Sequence, residues 1–387
     1  MRAKPLSGIR VLDLTRLLPG AMATLHFADM GADVIKIEDT AAGDYSRTMG
    51  HVREGMSDSF RLLNRNKRAV RLDLKQTRGR EAFLKLAERA DVVVEGFRPG
   101  VVAKLGVGYD AVSAVNARIV YCSISGYGQD GPYAQRAGHD INYVGYAGVG
   151  DQIGTRDEPV VPNFQIADLL GGALVPAMGI LAALIDARSS GRGRYVDVSM
   201  TDAALAHAIF PLLGFLESGK ASSRGSSMLD GGLACYNVYR TKDGRFMAVG
   251  ALERKFWATL CDILGCPELK EKHIVYGADA EPVKARLEKM FASRTQREWT
   301  ETFDTADCCV SPVLHVDEAL ANEQLRARRM VLDADGVMQL ALPLKMSEFE
   351  FGIERRAPLA GEHTDEILRE AGYGDAEIAA LRKEGVI

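Results

Sequence analysis

The residues with the clearest capacity for chemistry are three acid–base side chains, His139, Asp168 and Glu253, which stand in glycine-rich surroundings or after a predicted strand. An imidazole suits general acid–base catalysis because its pKa lies near neutral pH. A carboxyl group could act as its partner if partial burial raised its pKa. Each residue also has a structural interpretation: His139 as a structural histidine, Asp168 as the N-cap of an apolar helix, Glu253 as a solvated loop residue. Residue type and spacing leave both interpretations open.

Several other catalytic motifs are absent from the sequence or incomplete. Gly126–Gly131 matches G-x-G-x-x-G after a predicted strand, but Pro132 and the polar residues after it predict no helix to meet a dinucleotide pyrophosphate. The sequence has no Walker loop, no G-x-S-x-G and no H-E-x-x-H, which excludes the corresponding NTPase, hydrolase and zinc protease classes. Its six cysteines have neither C-x-x-C nor Cys/His ligand spacing, so we expect no metal site and a reducing compartment.

The composition narrows the possible partners. Hydrophobic residues make up 47% of the 387-residue chain and charged residues 26%, as in a globular protein with a sizeable core. The net charge of -4 provides no global field for nucleic acid or an anionic membrane, so we expect neither as a partner. An anionic ligand must be bound by a local basic cluster. The absence of an apolar secretory segment near Met1 predicts a cytoplasmic protein.

The elements that must position these side chains follow an alternating pattern over the first 125 residues. Helices are predicted at Pro19–Gly31, Gly79–Ala90 and Pro99–Ala114, between strands at Gly8–Leu14, Asp33–Glu38, Ala69–Leu74, Asp91–Glu95 and Arg118–Ser123. Such alternation predicts an α/β fold with a Rossmann-like, mostly parallel sheet covered by helices on both faces. Because ligands bind beyond the carboxyl ends of parallel strands, Leu17–Gly20, Gly96–Gly100 and Ser123–Gly131 should lie on one rim.

The rest of the chain predicts a second domain. Leu169–Ile185 carries no charge and is nearly long enough to span a bilayer, but its glycines and proline favour a buried central helix. Residues 1–217 are assigned to a large domain and the Ser/Gly-rich residues 218–231 to a linker. Residues 232–319 are assigned to a smaller α+β domain that contains a hairpin.

The chain resembles the family III CoA-transferase superfamily (CaiB/BaiF type), and within it the α-methylacyl-CoA racemases most. The segments that carry this resemblance extend over the whole chain and are Pro5–Asp13, Leu18–Gly20, Gly31–Glu38, Asn64–Arg68, Glu95–Gly100, Ser125–Gly128, Gly138–Tyr143 and Gly191–Asp197. The racemase branch depends mainly on Gly138–Tyr143 and Gly250–Glu253. CoA-transferases usually have Asn where this chain has Gly96, and Gln or another residue where it has His139.

The chain departs from the family pattern at two positions. Asp39 stands where an arginine often helps to hold the CoA adenine or phosphate, and Ala234 stands where proline is common. The resemblance also implies an interlocked homodimer in which residues 320–387 return to complete the large domain. The active site would then lie between the large domain of one subunit and the small domain of the other.

The resemblance implies proton transfer at the carbon next to a thioester carbonyl. His139 and Asp168 would be the two bases, one on each face of that carbon, and Glu253 would set the protonation of His139. Coenzyme A would be part of the substrate, and no separate cofactor is implied. The positions implied to contact CoA are Lys36, Leu72, Lys75, Gly96, Phe97, Arg98, Lys104, Ala137, Gly138 and Asp140. In the alternative, a CoA-transferase, Asp168 would attack the thioester and carry the acyl group as an anhydride.

Overall fold

The computed structural model describes residues 3–334 and 336–387, and the chain divides into two compact units. The first unit combines the N-terminal residues through Ala147 with Phe164–His207 and Gln324–Ile387. The second combines Gly148–Asn163 with Ala208–Glu323. The C-terminal segment thus belongs to the same unit as the N-terminal one, and most of the second unit is inserted between them.

These boundaries differ from the predicted ones. Residues 148–163 and 208–231, which include the predicted linker, belong to the second unit. The Ser/Gly-rich segment is no free tether, because the Arg224 guanidinium donates hydrogen bonds to the backbone oxygens of Asp151 and Thr155. Contacts between segments so far apart in sequence leave no trace in local composition.

Six strands form the central sheet of the first unit: β1 (Arg10–Asp13), β2 (Asp33–Glu38), β3 (Arg68–Arg71), β4 (Val92–Glu95), β5 (Val120–Ser125) and β6 (Tyr195–Ser199). All neighbours pair in parallel, in the order β3-β2-β1-β4-β5-β6. Every residue of β4 and β5 is buried, which is typical of parallel strands covered on both faces. The predicted Rossmann-like α/β sheet is therefore confirmed.

Among the described residues, seven α-helices lie between these strands and an eighth follows the last one: α1 (Pro19–Asp29), α2 (Asp58–Asn64), α3 (Thr77–Ala87), α4 (Val101–Lys104), α5 (Tyr109–Val115), α6 (Asp140–Tyr146), α7 (Val175–Ser190) and α8 (Met200–Ala206). The single helix predicted over Pro99–Ala114 is instead the pair α4 and α5. Gly106 has a φ of 71°, and Gly108 has an extended backbone with a ψ of 176°. Both features interrupt a continuous helix.

The long apolar helix begins as a π-helical segment, Ala167–Leu174, and continues as α7. Its first turns pack closely, since a Cβ on Gly171 would lie 2.8 Å from Met200 and one on Gly172 would lie 2.3 Å from Pro19. The prediction of a buried helix is wrong for one face, because Leu174, Met178 and Ile185 are 55%, 65% and 72% exposed, whereas Ile180 and Ala183 on the same helix are buried. Within the described residues, Ala167–Ser190 is the one helix whose length and composition would suffice to cross a membrane, which is weak evidence for a span.

The second unit is an α+β structure. Its three-stranded antiparallel sheet consists of Tyr236–Arg240, Phe246–Gly250 and Val310–Pro312. Its helices are Ile209–Ser218, Arg254–Leu264, Ala280–Phe291, Gln296–Phe303 and Val316–Ala321. The predicted hairpin is confirmed by the antiparallel pairing of its first two strands. Trp257 and Phe291 are fully buried in the core of this unit.

The C-terminal residues, predicted to return to the large domain, add helices and strands to the first unit. They are the helices Glu323–Ala327, Thr364–Glu370 and Asp375–Lys383 and the strands Val331–Ala334 and Val337–Leu340. Elsewhere in the first unit, a short antiparallel pair of strands joins Val52–Arg53 to Met56–Ser57. Ile367 and Ile378 belong to the same core cluster as strand residues Leu12 and Ile35. The C-terminal helices therefore complete the core of the sheet.

Two buried lysines bind residues at or just after the end of β1. The Lys67 ammonium lies 3.1 Å from an Asp13 carboxylate oxygen and donates to Thr24, and burial lowers the pKa of Lys67 to about 8. The Lys36 ammonium lies 2.8 Å from the Asp44 carboxylate and donates to the backbone oxygen of Thr15 at 2.9 Å. These bonds fix the loop that follows β1.

We predict that Lys67→Met destabilises the protein by about 3–5 kcal/mol, because the change leaves a buried Asp13 carboxylate without its closest cation. The matched control, Arg254→Met, breaks the exposed pair with Glu271 and should cost less than about 1 kcal/mol. Urea unfolding of both variants measures the difference. Equal and small losses in the two variants would contradict the role given to the buried pair.

Candidate active site

A cavity of about 810 Å³ lies at the carboxyl edge of the sheet. It is lined by residues that follow three neighbouring strands, namely Leu17–Gly20 after β1, Gly96–Pro99 after β4 and Ser125–Tyr127 at the end of β5. The predicted rim is therefore confirmed. All residues that line the cavity belong to the first unit.

The cavity brings His139 and Asp168 together. His139 immediately precedes α6, and its backbone N–H donates to the Asn142 side chain at 3.0 Å. Asp168 is the second residue of the π-helical segment, and its backbone N–H donates to an Asp140 carboxylate oxygen at 3.0 Å. Asp140 thereby joins the start of α6 to the start of the long helix. Two residues separated widely in sequence are placed on the wall of one cavity.

The Asp168 carboxyl group has an altered acidity. Burial, and to a smaller extent the nearby Asp140 carboxylate, raises the pKa of Asp168 to about 6. His139 acts in the opposite direction and lowers this pKa. Ile166 occupies the N-cap position of this helix, so the interpretation of Asp168 as an N-cap is wrong. At neutral pH both protonation states of this carboxyl group are accessible, as a general acid or base requires.

Tyr143 explains why the surroundings of His139 are glycine-rich. A Cβ on Gly126 or Gly138 would lie 2.2 Å or 2.6 Å from the Tyr143 ring, so only glycine leaves room for that ring. The Tyr143 hydroxyl donates to the backbone oxygen of Gly138, next to His139. The glycine motif therefore serves close packing against a tyrosine that holds the peptide before His139.

The family model for CoA-transferase family III matches residues 6–364. The chain belongs to this family. It is 35% identical to human alpha-methylacyl-CoA racemase, over 99% of this chain and 97% of the relative. It is 32% identical to human succinyl-CoA:glutarate CoA-transferase, over 99% of this chain and 90% of the relative.

A solved structure shares the fold. A CAIB/BAIF family protein from Brucella suis superposes with a TM-score of 0.85 at 30% identity, covering 96% of this chain and 100% of that protein. The chain is thus an enzyme of the family III CoA-transferase and racemase superfamily, as its resemblance predicted. Racemases and CoA-transferases match it to similar extents, so the reaction must be argued from the residues of the cavity.

Five of the positions expected to contact CoA line the cavity: Gly96, Phe97, Arg98, Ala137 and Gly138. The structure corrects two others. Lys36 is fully buried with its ammonium bound to Asp44, and Leu72 is fully buried in the core of the sheet. Neither side chain is available to a ligand. The role of Lys36 in this family III fold is to stabilise the loop after β1.

The remaining predicted positions lie outside the cavity lining. Lys75 and Lys104 are exposed, and the Asp140 carboxylate accepts the Asp168 N–H described above. Glu253 is an exposed residue of the second unit, where its backbone oxygen accepts the Trp257 N–H at the start of a helix. Its pairing with His139 stays a prediction.

Other lining residues were not predicted from the sequence, among them Thr15, Arg16, Ser46, Arg136 and Met200. Arg16 could have been found, since it follows the carboxyl end of β1 and precedes the predicted rim segment by one position. Met200 carries no comparable signal, because it reaches the cavity through tertiary packing.

Glu95 supports the segment that carries Gly96, Phe97 and Arg98. Its carboxylate accepts the Phe97 N–H at 2.7 Å, and the side chain is 1% exposed. Burial raises the pKa of Glu95 to about 7, and the Asp197 carboxylate acts in the same direction, against hydrogen bonds from Ser123 and Phe97. Glu95 is thus a buried acid that shapes one side of the cavity.

We predict that Glu95 makes the stability of the protein pH-dependent. Because its folded pKa lies above the unfolded value, its contribution is fully present below about pH 4.5 and is lost as pH rises through about 7. The loss should approach about 3 kcal/mol by pH 8, at 1.36 kcal/mol per pKa unit. Glu95→Gln should lack this loss when both proteins are unfolded in urea at pH 5 and pH 8. Parallel pH profiles in the two proteins would contradict the prediction.

Proposed function

We propose that the enzyme is a racemase or epimerase that inverts the α-carbon of 2-methyl-branched acyl-CoA thioesters. The observation that carries this proposal is the presence of His139 and Asp168 on the wall of one cavity. The raised pKa of Asp168 supports it further, because an inverting enzyme needs one group that accepts a proton and another that delivers one. A CoA-transferase would have no use for the second base.

The proposed reaction moves one proton off the α-carbon and another onto it. One of the two groups takes the α-proton, and the C–H electron pair enters the thioester as an enolate. The other group delivers its own proton to the opposite face. After one turnover the group that began without the proton carries one, and the group that began with a proton has lost it. Asp168 lies near the N-terminal end of the long helix and lines the cavity. The dipole of this helix favours the negative charge that develops on the enolate.

The charge of the cavity lining supports binding of a CoA ester. Arg16, Arg98 and Arg136 line the cavity, and Asp168 is the one carboxylate among its lining residues. Such a cluster supplies the local positive field that the net charge of the chain lacks. Coenzyme A enters as part of the substrate, and the two-base step requires no separate cofactor.

We also propose that the enzyme is an interlocked cytoplasmic homodimer. Large apolar side chains are exposed on α7, and the helix Ile209–Ser218 of the second unit has no buried residue. Apolar faces of this extent favour association with another protein surface. In the proposed dimer the second unit of one subunit brings Glu253 to His139 of the other.

We predict that incubation with a 2-methylacyl-CoA in heavy water places deuterium at C2 in the absence of any acceptor acid. His139→Gln and Asp168→Asn should each lower the rate of exchange about 10²–10⁴-fold, since each removes a proton-transfer group. His51→Gln is the matched control, because His51 is 70% exposed and lies outside the cavity lining. Mass spectrometry of the recovered ester measures the label. Unlabelled ester from the wild-type enzyme would contradict the proposal.

The CoA-transferase alternative is favoured by one observation, the similar match to CoA-transferase relatives. In that reaction an Asp168 carboxylate oxygen forms a bond to the thioester carbonyl carbon, the C–S bond breaks, and CoA leaves as a thiolate, which produces an acyl–Asp168 anhydride. Hydroxylamine would trap this anhydride and inactivate the enzyme in the presence of acyl-CoA. We predict that hydroxylamine leaves the exchange activity unchanged. Inactivation that depends on acyl-CoA would establish the alternative.

A further inference from the structure

The family resemblance gives Arg16 no role, and the proposed function uses it only as one of three arginines that line the cavity. Its guanidinium donates to the Tyr45 hydroxyl at 2.8 Å and to an Asp39 carboxylate oxygen at 2.8 Å. The guanidinium carbon lies 5.2 Å from the centre of the Tyr45 ring and 5.3 Å from the centre of the Phe97 ring. Two aromatic rings and one carboxylate therefore hold this cation at the cavity wall.

Asp39 is itself held in place by the backbone. Its second carboxylate oxygen accepts the N–H groups of Ala41 at 2.9 Å and Gly43 at 3.0 Å. Although partial burial acts in the opposite direction, these N–H groups and Arg16 together lower the pKa of Asp39. The ion pair between Asp39 and Arg16 is therefore intact at neutral pH, and the position of the guanidinium is fixed before any ligand arrives.

The Arg16 guanidinium has further N–H groups available for a ligand. Arginine carries five N–H donors in a planar fork, and the bonds within the described part of the chain use one from each of two nitrogens. The side chain is 27% exposed and lines the cavity beside Phe97, a position expected to contact CoA. A planar fork with free N–H groups matches the geometry of a phosphate or carboxylate.

We propose that Arg16, positioned by Asp39, binds an oxyanion of the acyl-CoA substrate. The inference rests on the proposed function only in taking a CoA ester as the ligand. It also accounts for the departure at Asp39, where an arginine often stands in relatives: here the acid at 39 directs an arginine from the neighbouring strand end into the cavity. The oxyanion can come from a phosphate of CoA or from a carboxylate on the acyl chain, and both sources provide the same fork-shaped contact.

Calorimetric binding of CoA and of pantetheine, which lacks the phosphates, tests the phosphate source. Arg16→Gln should weaken CoA binding about tenfold or more and pantetheine binding less than about twofold. Arg16→Lys should restore only part of the affinity, because an ammonium cannot form the planar fork. Asp39→Asn should weaken CoA binding less than Arg16→Gln, since it loosens the guanidinium without removing it. The matched control, Arg297→Gln, changes an arginine that is 87% exposed and lies outside the cavity lining, so this variant should bind CoA as the wild type does.

A second comparison tests the carboxylate source, with succinyl-pantetheine against butyryl-pantetheine. Loss of affinity in Arg16→Gln for the succinyl ester alone would assign the oxyanion to the acyl chain. Unchanged binding of all these ligands, or equal weakening of CoA and pantetheine, would overturn the proposal. Binding is measured without turnover, so the absence of deuterium exchange would defeat the racemase proposal while leaving this test valid. Urea unfolding of each variant verifies that it is folded.

Discussion

The partial burial of the Asp168 carboxyl group at the cavity wall is the physical constraint on which the account of this enzyme depends. A solvated aspartate stays ionised at neutral pH and delivers no proton. Here burial and the neighbouring Asp140 carboxylate raise the pKa of Asp168 to about 6. Asp140 also accepts the Asp168 N–H, so the same residue positions the carboxyl group and makes it more basic. Close packing of Gly171 and Gly172 against Met200 and Pro19 places the start of the long helix at the cavity.

The charged groups around the cavity have different structural roles. The buried pairs of Lys67 with Asp13 and Lys36 with Asp44 stabilise the loop after β1 and contact no ligand. Glu95 is equally buried and fixes the segment after β4 through a backbone hydrogen bond to Phe97. In the proposed function, the arginines that line the cavity provide the positive field for the CoA ester. The fully buried ionic groups therefore stabilise the rim, and the arginines at the cavity wall are the ones available to a ligand.

The sequence predicted the parallel sheet and its rim well, because buried strands and glycine stops are local signals. It placed β2 and the start of α1 at the residues where the structure has them. It failed for Lys36, since only the tertiary pairing with Asp44 takes that ammonium out of solvent. It failed for the exposed face of the long helix, because an apolar sequence does not show how much of the helix the rest of the chain covers. The unit boundaries depend on contacts such as that between Arg224 and Asp151, which pattern alone does not reveal.

The acidity of Asp168 can be measured directly by carbon NMR of protein labelled at the aspartate carboxyl carbon, with Asp168→Asn used to assign the resonance. The account predicts one carboxyl resonance that titrates near pH 6 in the wild-type protein and is missing from the variant. His139→Gln should raise that midpoint, because His139 lowers the pKa of Asp168. A midpoint below pH 4.5 for Asp168 would contradict the central claim, since the carboxyl group would then carry no proton to deliver.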